Sequence, residues 1–243
     1  MRELTKTDLK IIAKAGDKNI AVVYVAEING KKIEFVESVQ PPISREKKWV
    51  LIISSLFGCP VECQFCDEGG KYTGKLSKEE LLAQINVLVK NRFKSDKPDT
   101  ERIKIQFARI GEPAFNKNVL DVLKELPLIY QNTTIMPSIS TIAPVGCDDF
   151  FKELVNIKNN LYKNSFQLQF SIHNTDEEIR NQLIPAKKWS FEQIKEYGQY
   201  FYKKGERKIT LNFALKDESA IDKNILMKYF DPEIFLIKIT PIN

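Results

Sequence analysis

The sequence predicts an α/β fold of six strand–helix units, preceded by a small β-hairpin extension. Three observations carry that reading. Short apolar runs alternate with amphipathic helical segments from Trp49 to the end of the chain. Helix starts are marked by Ser-x-x-Glu/Gln capping pairs. Polar and glycine residues collect after the apolar runs rather than before them. Strands alternating with helices imply a parallel sheet covered by helices. Six units are fewer than the eight that close a full barrel, so an open partial barrel and a doubly wound sheet both fit the pattern.

The elements follow in order. Within residues 1–48, "NIAVVYVAEINGKKIEFVESV" holds two β-rich runs around Asn29-Gly30, a strong hairpin signal, and Pro41-Pro42 then breaks the pattern. This segment is expected to pack as an extension against a core domain over residues 49–243. "WVLIISS" reads as the first buried strand. In "SKEELLAQINVLVKN", Ser77 is the expected N-cap and Glu80 completes a capping box, with Leu81, Leu82, Ile85, Leu88 and Val89 on one face. The strand "IKIQFA" and the helix "NVLDVLKEL" come next, then "TTIMPSIS" and "DDFFKELVNI". "FQLQFSI" is the fourth strand, followed by helical runs at "DEEIRNQL" and "SFEQIKEYGQYFY", the latter capped by Ser190 and Gln193. "KITLNFA", "AIDKNILMKYF" and "FLIKIT" complete the series, and the chain ends at Asn243 after the sixth strand, with no covering helix.

The 243 residues suffice for a sizeable core, and 43% hydrophobic with 28% charged residues is ordinary for a soluble globular protein. The net charge of +5, from 37 basic and 32 acidic side chains, permits a polyanionic partner without requiring one. The charged start "MRELTKTDLKIIAKAGDK" does not read as a signal peptide, and no run of about 18 apolar residues predicts a membrane span. Three of the four cysteines are clustered, which suits metal ligation in a reducing cytoplasm better than a secreted disulfide framework.

Functional residues gather at the C-terminal ends of strands, where parallel α/β folds build their sites. Cys59, Cys63 and Cys66 follow the first strand; Gly111, Glu112 and Pro113 the second. Ser140 and Thr141 end the third, Ser171 and the single histidine, His173, end the fourth, and Asn243 follows the sixth. A structural zinc ion takes four ligands, so a zinc reading needs Cys147 or His173 besides the triplet. A [4Fe–4S] cluster held by three thiolates keeps one iron open, as a catalytic metal site does. Phe65, between the last two cysteines, would shield such a cluster. Glu112 is placed to accept hydrogen bonds from an ammonium group, and Ser140, Ser171 and Asn243 to bind hydroxyls or a carboxylate. Cys147 reads as a small core residue, and the lysines of "REKK", "PAKK" and "YKK" as solvated surface.

The Cys59-x3-Cys63-x2-Cys66 spacing resembles the signature of radical S-adenosylmethionine (SAM) enzymes. "SSLFGCPVECQFC", "IGEPAFN", "SIST", "FSIHNTDEEIRNQLIPAKKW", "IKITPIN" and "INGKKIEFVESV", as a set, are similar to segments of the RlmN and Cfr 23S ribosomal RNA methyltransferase branch, over roughly residues 20–243. The resemblance implies a partial (βα)6 TIM-like barrel. It implies a [4Fe–4S] cluster on Cys59, Cys63 and Cys66, with SAM chelating the open iron. Gly111 and Glu112 match the segment that holds the SAM amino group, and Ser140, Ser171, Ile172, His173 and Asn243 match other SAM-contacting positions. Glu37 matches a glutamate implicated as a base. An electron donor such as flavodoxin or ferredoxin is implied as partner, with RNA among the candidate substrates.

Two positions depart from that pattern. The branch carries a cysteine seven residues before the first cluster cysteine, where this chain has Ile52. Its methyl-carrying cysteine lies beyond the sixth strand, where this chain has ended, and its large N-terminal helical domain has no counterpart here. Isoleucine has no thiol to methylate or to form an adduct. The expectation is therefore an enzyme that uses the 5′-deoxyadenosyl radical directly to abstract hydrogen from a substrate. An RlmN/Cfr-like RNA-modifying enzyme lacking its C-terminal part, and a non-catalytic iron–sulfur or zinc binding protein, are the alternatives.

Overall fold

The structure is a computed structural model that describes residues 7–67, 70–95, 97–215 and 220–241. Its strands are β1 (Leu9–Asp17), β2 (Ala21–Ile28), β3 (Lys31–Ser38), β4 (Trp49–Ile53), β5 (Leu56–Cys59), β6 (Gly70–Lys75), β7 (Arg102–Phe107), β8 (Thr134–Thr141), β9 (Gln167–Ser171), β10 (Ile209–Leu215) and β11 (Phe235–Pro241). Its helices are α1 (Lys78–Phe93), α2 (Asn118–Ile129), α3 (Asp148–Ile157), α4 (Glu177–Leu183), α5 (Phe191–Phe201) and α6 (Lys223–Tyr229).

Nine strands form one sheet in the order β1-β2-β3-β4-β7-β8-β9-β10-β11. The six from β4 onward run parallel. They are the six strands expected from the apolar runs, and the sheet is mixed only because an antiparallel β1–β2–β3 meander joins it. The turn at Asn29-Gly30 has φ of 50° and 75°, positive at both positions as a type I′ hairpin requires. The hairpin meets the parallel strands through β3, which pairs with β4, Val36 opposite Ile52 and Ser38 opposite Val50. Strand β1 is an addition to the expected elements. Its run "LKIIAKAGD" is mostly exposed and lies at the sheet edge, so it lacks the buried alternation that marks β2.

Helix α1 begins as its sequence dictates. Ser77 accepts the Glu80 amide, the Glu80 carboxylate accepts the Ser77 amide, and Leu81, Leu82, Ile85, Leu88 and Val89 are all buried. The Ser190–Gln193 pair caps α5 in the same way. In α5, Gly198 sits so close to β11 that a Cβ there would meet the Phe235 ring at 2.2 Å.

Register separates the two faces of the parallel sheet. One carries Ile53, Phe107 and Ile139 side by side, all fully buried in the main apolar core. The other carries Ile52, Gln106 and Ser138 in one row and Ser140 beside Gln169 in the next. One face is thus a helix-covered core, and the other is a polar surface leading from the N-terminal to the C-terminal strand ends.

Candidate functional site

The cysteine segment is built on its own hairpin. Strand β5 pairs antiparallel with β6 outside the main sheet, and Cys59 is the last residue of β5 rather than part of a loop. Gly58 makes the bend, with φ of 74° and the Lys71 carbonyl oxygen 2.4 Å from where a Cβ would stand. Below the hairpin, side-chain amides bind backbone groups at the ends of β4, β5 and β6. Gln84 of α1 accepts the Ser54 amide at 2.9 Å and donates to the Ser54 carbonyl at 3.0 Å. Fully buried Asn116 donates to the carbonyls of Ser55 and Leu76, both at 2.8 Å, so it bridges the two strands' approaches. Sequence reasoning misses both residues. The one signal they carry is an amide among apolar neighbours, in "LLAQINVL" and "PAFN".

The Gly111-Glu112 segment lies against this hairpin. Gly111 has φ of 98°, and a Cβ on it would stand 2.5 Å from the Leu56 Cβ and 2.9 Å from the Leu56 amide nitrogen. Only glycine fits such a conformation at such an approach. The Ile110 carbonyl accepts the Ser55 and Leu56 amides at 2.8 and 3.3 Å, which ties the two segments together. The Glu112 carboxylate is buried and engaged by the protein itself. Its Oε1 accepts from Thr141 Oγ1 at 2.6 Å and the Ala114 amide at 3.0 Å, and its Oε2 accepts from the Ile142 amide at 2.9 Å. Burial outweighs those three donors and pushes Glu112 up to about 7. Thr141 Oγ1 also accepts the Ala143 amide at 2.9 Å, so the end of β8 is locked to the Gly-Glu-Pro segment.

The thiols of Cys59 and Cys63 are half-buried and that of Cys66 is exposed. Burial first, then the neighbouring Cys59, Cys66 and Glu112 charges, pushes Cys63 up to about 12. Cys59 is raised for the same first reason. Burial therefore favours the thiol form of Cys59 and Cys63. Among the described residues, no group of three or more His, Cys, Asp and Glu side chains is arranged to hold a single metal ion. A cubane cluster makes a different demand, since each thiolate caps its own iron at a separate corner. Three soft donors within eight residues, Cys59 and Cys63 of them packed against Val61, Ile142 and Ile184, fit that demand. Cys147 is half-buried and packs against the main core at the start of α3.

His173 follows β9 with φ of 63°, a rare conformation for a non-glycine residue. It is buried, its Nδ1 accepts the Ala214 amide at 2.9 Å, and its ring stands edge-on to Phe65 at 4.5 Å. Burial, then the nearby Arg180, lowers it to about 4, so it is a neutral imidazole carrying its proton on Nε2. Phe65, the aromatic between Cys63 and Cys66, therefore joins the cysteine turn to the fourth strand end. Ser140 Oγ is within 3.2 Å of the Gln169 amide donor, and Ser171 is half-buried at the end of β9. Ile172 is fully buried in the core, its amide held by the Asn212 carbonyl. Asn243 lies outside the described residues.

Arg180, which no sequence signal marks, stands close by and is only 2% exposed. Its Nη1 donates to the Trp189 carbonyl at 2.9 Å, its guanidinium lies over the Phe191 ring, and Nε and Nη2 have no acceptor among the described residues. Of the lysines of "PAKK", Lys187 is exposed as expected and Lys188 is not. Lys188 folds back to donate to the Ile184 carbonyl at 2.8 Å, and burial, then Arg180, lowers it to about 8, with the nearby Cys63 opposing.

Glu37 is not brought to this rim. It pairs across the sheet with Leu51, on the helix-covered face, whereas Ile52 points to the polar face. Its carboxylate receives Tyr24 Oη at 2.7 Å, Trp49 Nε1 at 3.2 Å, Arg45 Nη1 at 3.2 Å, and Arg92 Nε and Nη2 at 2.9 and 2.7 Å. Of the lysines of "REKK", Lys47 is exposed as expected, whereas Lys48 is only 8% exposed.

No protein-family model matches the chain. The probable dual-specificity RNA methyltransferase RlmN of Chlorobium phaeobacteroides strain BS1 is 32% identical over 165 residues, 67% of this chain and 43% of that protein. The Nostoc punctiforme protein of the same name is 27% identical over 225 residues, 86% of this chain and 58% of that one. The chain thus spans about half the length of the curated relatives it matches. The crystal structure of a radical SAM methyltransferase from Sphaerobacter thermophilus superposes with a TM-score of 0.72 at 18% identity, over 96% of this chain and 67% of that one. In sequence, the chain resembles the RlmN branch of the radical SAM superfamily, and in fold a solved radical SAM methyltransferase.

Proposed function

We propose that the chain is a radical SAM enzyme that abstracts hydrogen from its substrate, with Cys59, Cys63 and Cys66 as the cluster ligands. The observation that carries this reading is the seam between the cysteine hairpin and the Gly111-Glu112 segment, where Gly111 lies flush against Leu56 and the Ile110 carbonyl accepts the Ser55 and Leu56 amides. When bound, a [4Fe–4S] cluster supplies the electron that cleaves SAM to methionine and a 5′-deoxyadenosyl radical. The chain's own residues then bind, orient and shield. Gly111 lets the backbone lie flush on the hairpin, and Glu112 locks that segment to Thr141 and Ile142. His173 and Phe65 close one side with a neutral aromatic wall, and Ser140 and Ser171 offer hydroxyls on the polar face. Asn243 completes the set of SAM contacts that the sequence resemblance implies. The six parallel strands are read as a partial barrel, residues 1–48 as its extension and residues 49–243 as its catalytic core. The electron donor is read as a flavodoxin or ferredoxin in a reducing cytoplasm; among the described residues no helix is long and apolar enough to cross a membrane.

Direct hydrogen abstraction, rather than a cysteine methyl relay, is supported by Ile52. It is half-buried on the polar face beside Gln106 and offers no thiol. A second reading, RNA modification, is favoured by the RNA methyltransferase names of the relatives. The decisive experiment is anaerobic. The cluster is reconstituted, SAM and dithionite are added, and 5′-deoxyadenosine is followed with time. Formation by the wild type and none by Cys63→Ala is the expected result. A well-formed cluster that neither binds SAM nor yields 5′-deoxyadenosine overturns the enzyme reading. Tight, steeply salt-dependent binding of ribosomal RNA fragments would favour the second.

A further inference from the structure

The opposite end of the sheet holds a second concentration of charge. A cavity of about 450 Å³ opens at the N-terminal ends of the parallel strands, walled by Lys47, Lys48, Arg102 and Arg207. Lys104, the third residue of β7, stands behind it, within electrostatic reach of Lys48, Arg207 and Lys238. Lys48 and Lys104 are each 8% exposed. Lysines that buried are ordinarily paired. Lys48 donates to Gln40 Oε1 at 2.8 Å, a neutral acceptor. None of these six cations forms an ion pair among the described residues. Glu101 on the cavity wall is the one carboxylate lining it among the described residues.

We propose that this cavity is a binding site for a phosphate-bearing ligand of nucleotide size. Four cations on the cavity wall, with Lys104 and Lys238 in electrostatic reach, exceed what a single carboxylate would need. The two arginines offer planar forks that match phosphate oxygens, and the lysines add point charges. The volume falls within the range of small-molecule sites. Burial, and then the neighbouring cations, lowers Lys104 to about 8, the direction expected where like charges face one another without a counter-anion. The site is separate from the cysteine rim. The six residues of β7 lead from Arg102 at the cavity to Phe107 near the rim, about 17 Å at the usual rise per residue. The inference does not depend on radical chemistry at that rim.

Titration calorimetry of the whole chain with inorganic pyrophosphate tests it. Saturable one-to-one binding is expected, weakened at least about tenfold in Lys104→Met/Arg207→Gln, as loss of buried charge contacts typically costs. The iron content and cluster absorption of that variant should match wild type. Lys104→Met removes a buried charge and should keep the fold. Should the double variant fail to fold, the exposed Arg207→Gln alone is titrated, with the same direction of effect. Competition separates the natural sources. Displacement by a nucleoside triphosphate but not by oligouridylate points to a free nucleotide, and displacement by oligouridylate to RNA backbone phosphate. Both sustain a phosphate site. Absence of saturable pyrophosphate binding, or equal binding by wild type and variants, overturns it.

Discussion

Replacing Gly111 by alanine tests the seam on which the candidate site is built. Two costs add at this position. The first is conformational, because φ of 98° is a backbone state that L-residues rarely adopt, worth about 1–2 kcal/mol. The second is steric, because the new methyl would overlap the Leu56 Cβ and Cγ at 2.5 and 2.6 Å and its amide nitrogen at 2.9 Å. Backbone cannot swing aside as a side-chain tip can, so this overlap belongs to the overpacking class at about 1–3 kcal/mol. The total is about 2–5 kcal/mol. Gly30→Ala isolates the first cost, since Gly30 has φ of 75° and nothing within 4 Å of an added methyl. Urea unfolding of both variants separates the costs, and the thermal midpoint should fall by about 2–4 °C per kcal/mol in a chain of this size. The methyl also pushes on β5 three residues before Cys59, so the Gly111 variant should retain less iron after anaerobic gel filtration than Gly30→Ala. Equal stability loss and equal iron retention in the two variants would refute the claim that the Gly111 loop and the cysteine hairpin are in contact.

Three further outcomes follow from the same contacts. Glu37→Ala removes the shared partner of Arg45 and Arg92 and should cost about 3–5 kcal/mol in urea unfolding; Glu37→Gln that abolishes 5′-deoxyadenosine formation at unchanged stability would instead support the base role that the resemblance implies. Asn116→Leu removes one of two donors from each of the Ser55 and Leu76 carbonyls, which keep the Leu76 amide at 3.3 Å and Asn118 Nδ2 at 2.9 Å, and should cost about 1–3 kcal/mol while loosening iron retention; a stability equal to wild type would show that the remaining donors suffice. His173 is held near 4 by burial and Arg180, whereas the unfolded chain takes up its proton near 6.5. The unfolded state therefore binds more protons between those values, and His173 should subtract up to about 3 kcal/mol of stability as pH falls from 6.5 to 4. His173→Asn, which tolerates the left-handed backbone, should flatten that part of the wild-type profile; an unchanged profile would show that His173 protonates freely in the folded chain.

What is legible in the sequence, and what is not, divides by the range of the forces involved. The six parallel strands and their helices follow from periodicity and capping, both of which act within a few residues, and the α1 capping box forms as its residues dictate. The β5–β6 hairpin is hidden because its strands are short and carry glycines, β6 is mostly exposed, and the register shifts between Phe57 and Cys59. Its burial is set by Leu56 under Gly111, a contact between residues far apart in the chain. Glu37 illustrates the same point with charge. Nothing local separates a solvated glutamate on a hairpin strand from one that gathers Tyr24, Arg45, Trp49 and Arg92, since Arg92 arrives from 55 residues away. Lys48 and Lys104 are the converse case. In sequence they belong to an ordinary scatter of basic residues, but parallel pairing of β4 with β7 sets Val50 beside Lys104 and so brings the two lysines to the same end of the sheet. A strand order that aligns functional side chains at one rim necessarily aligns another set at the opposite end. There the residues converge without any motif to announce them, because each strand contributes one side chain at its start. In this chain that set is cationic, partly buried and without ion-pair partners among the described residues. For that reason the anion site emerges from topology, whereas the cysteine rim is visible from spacing.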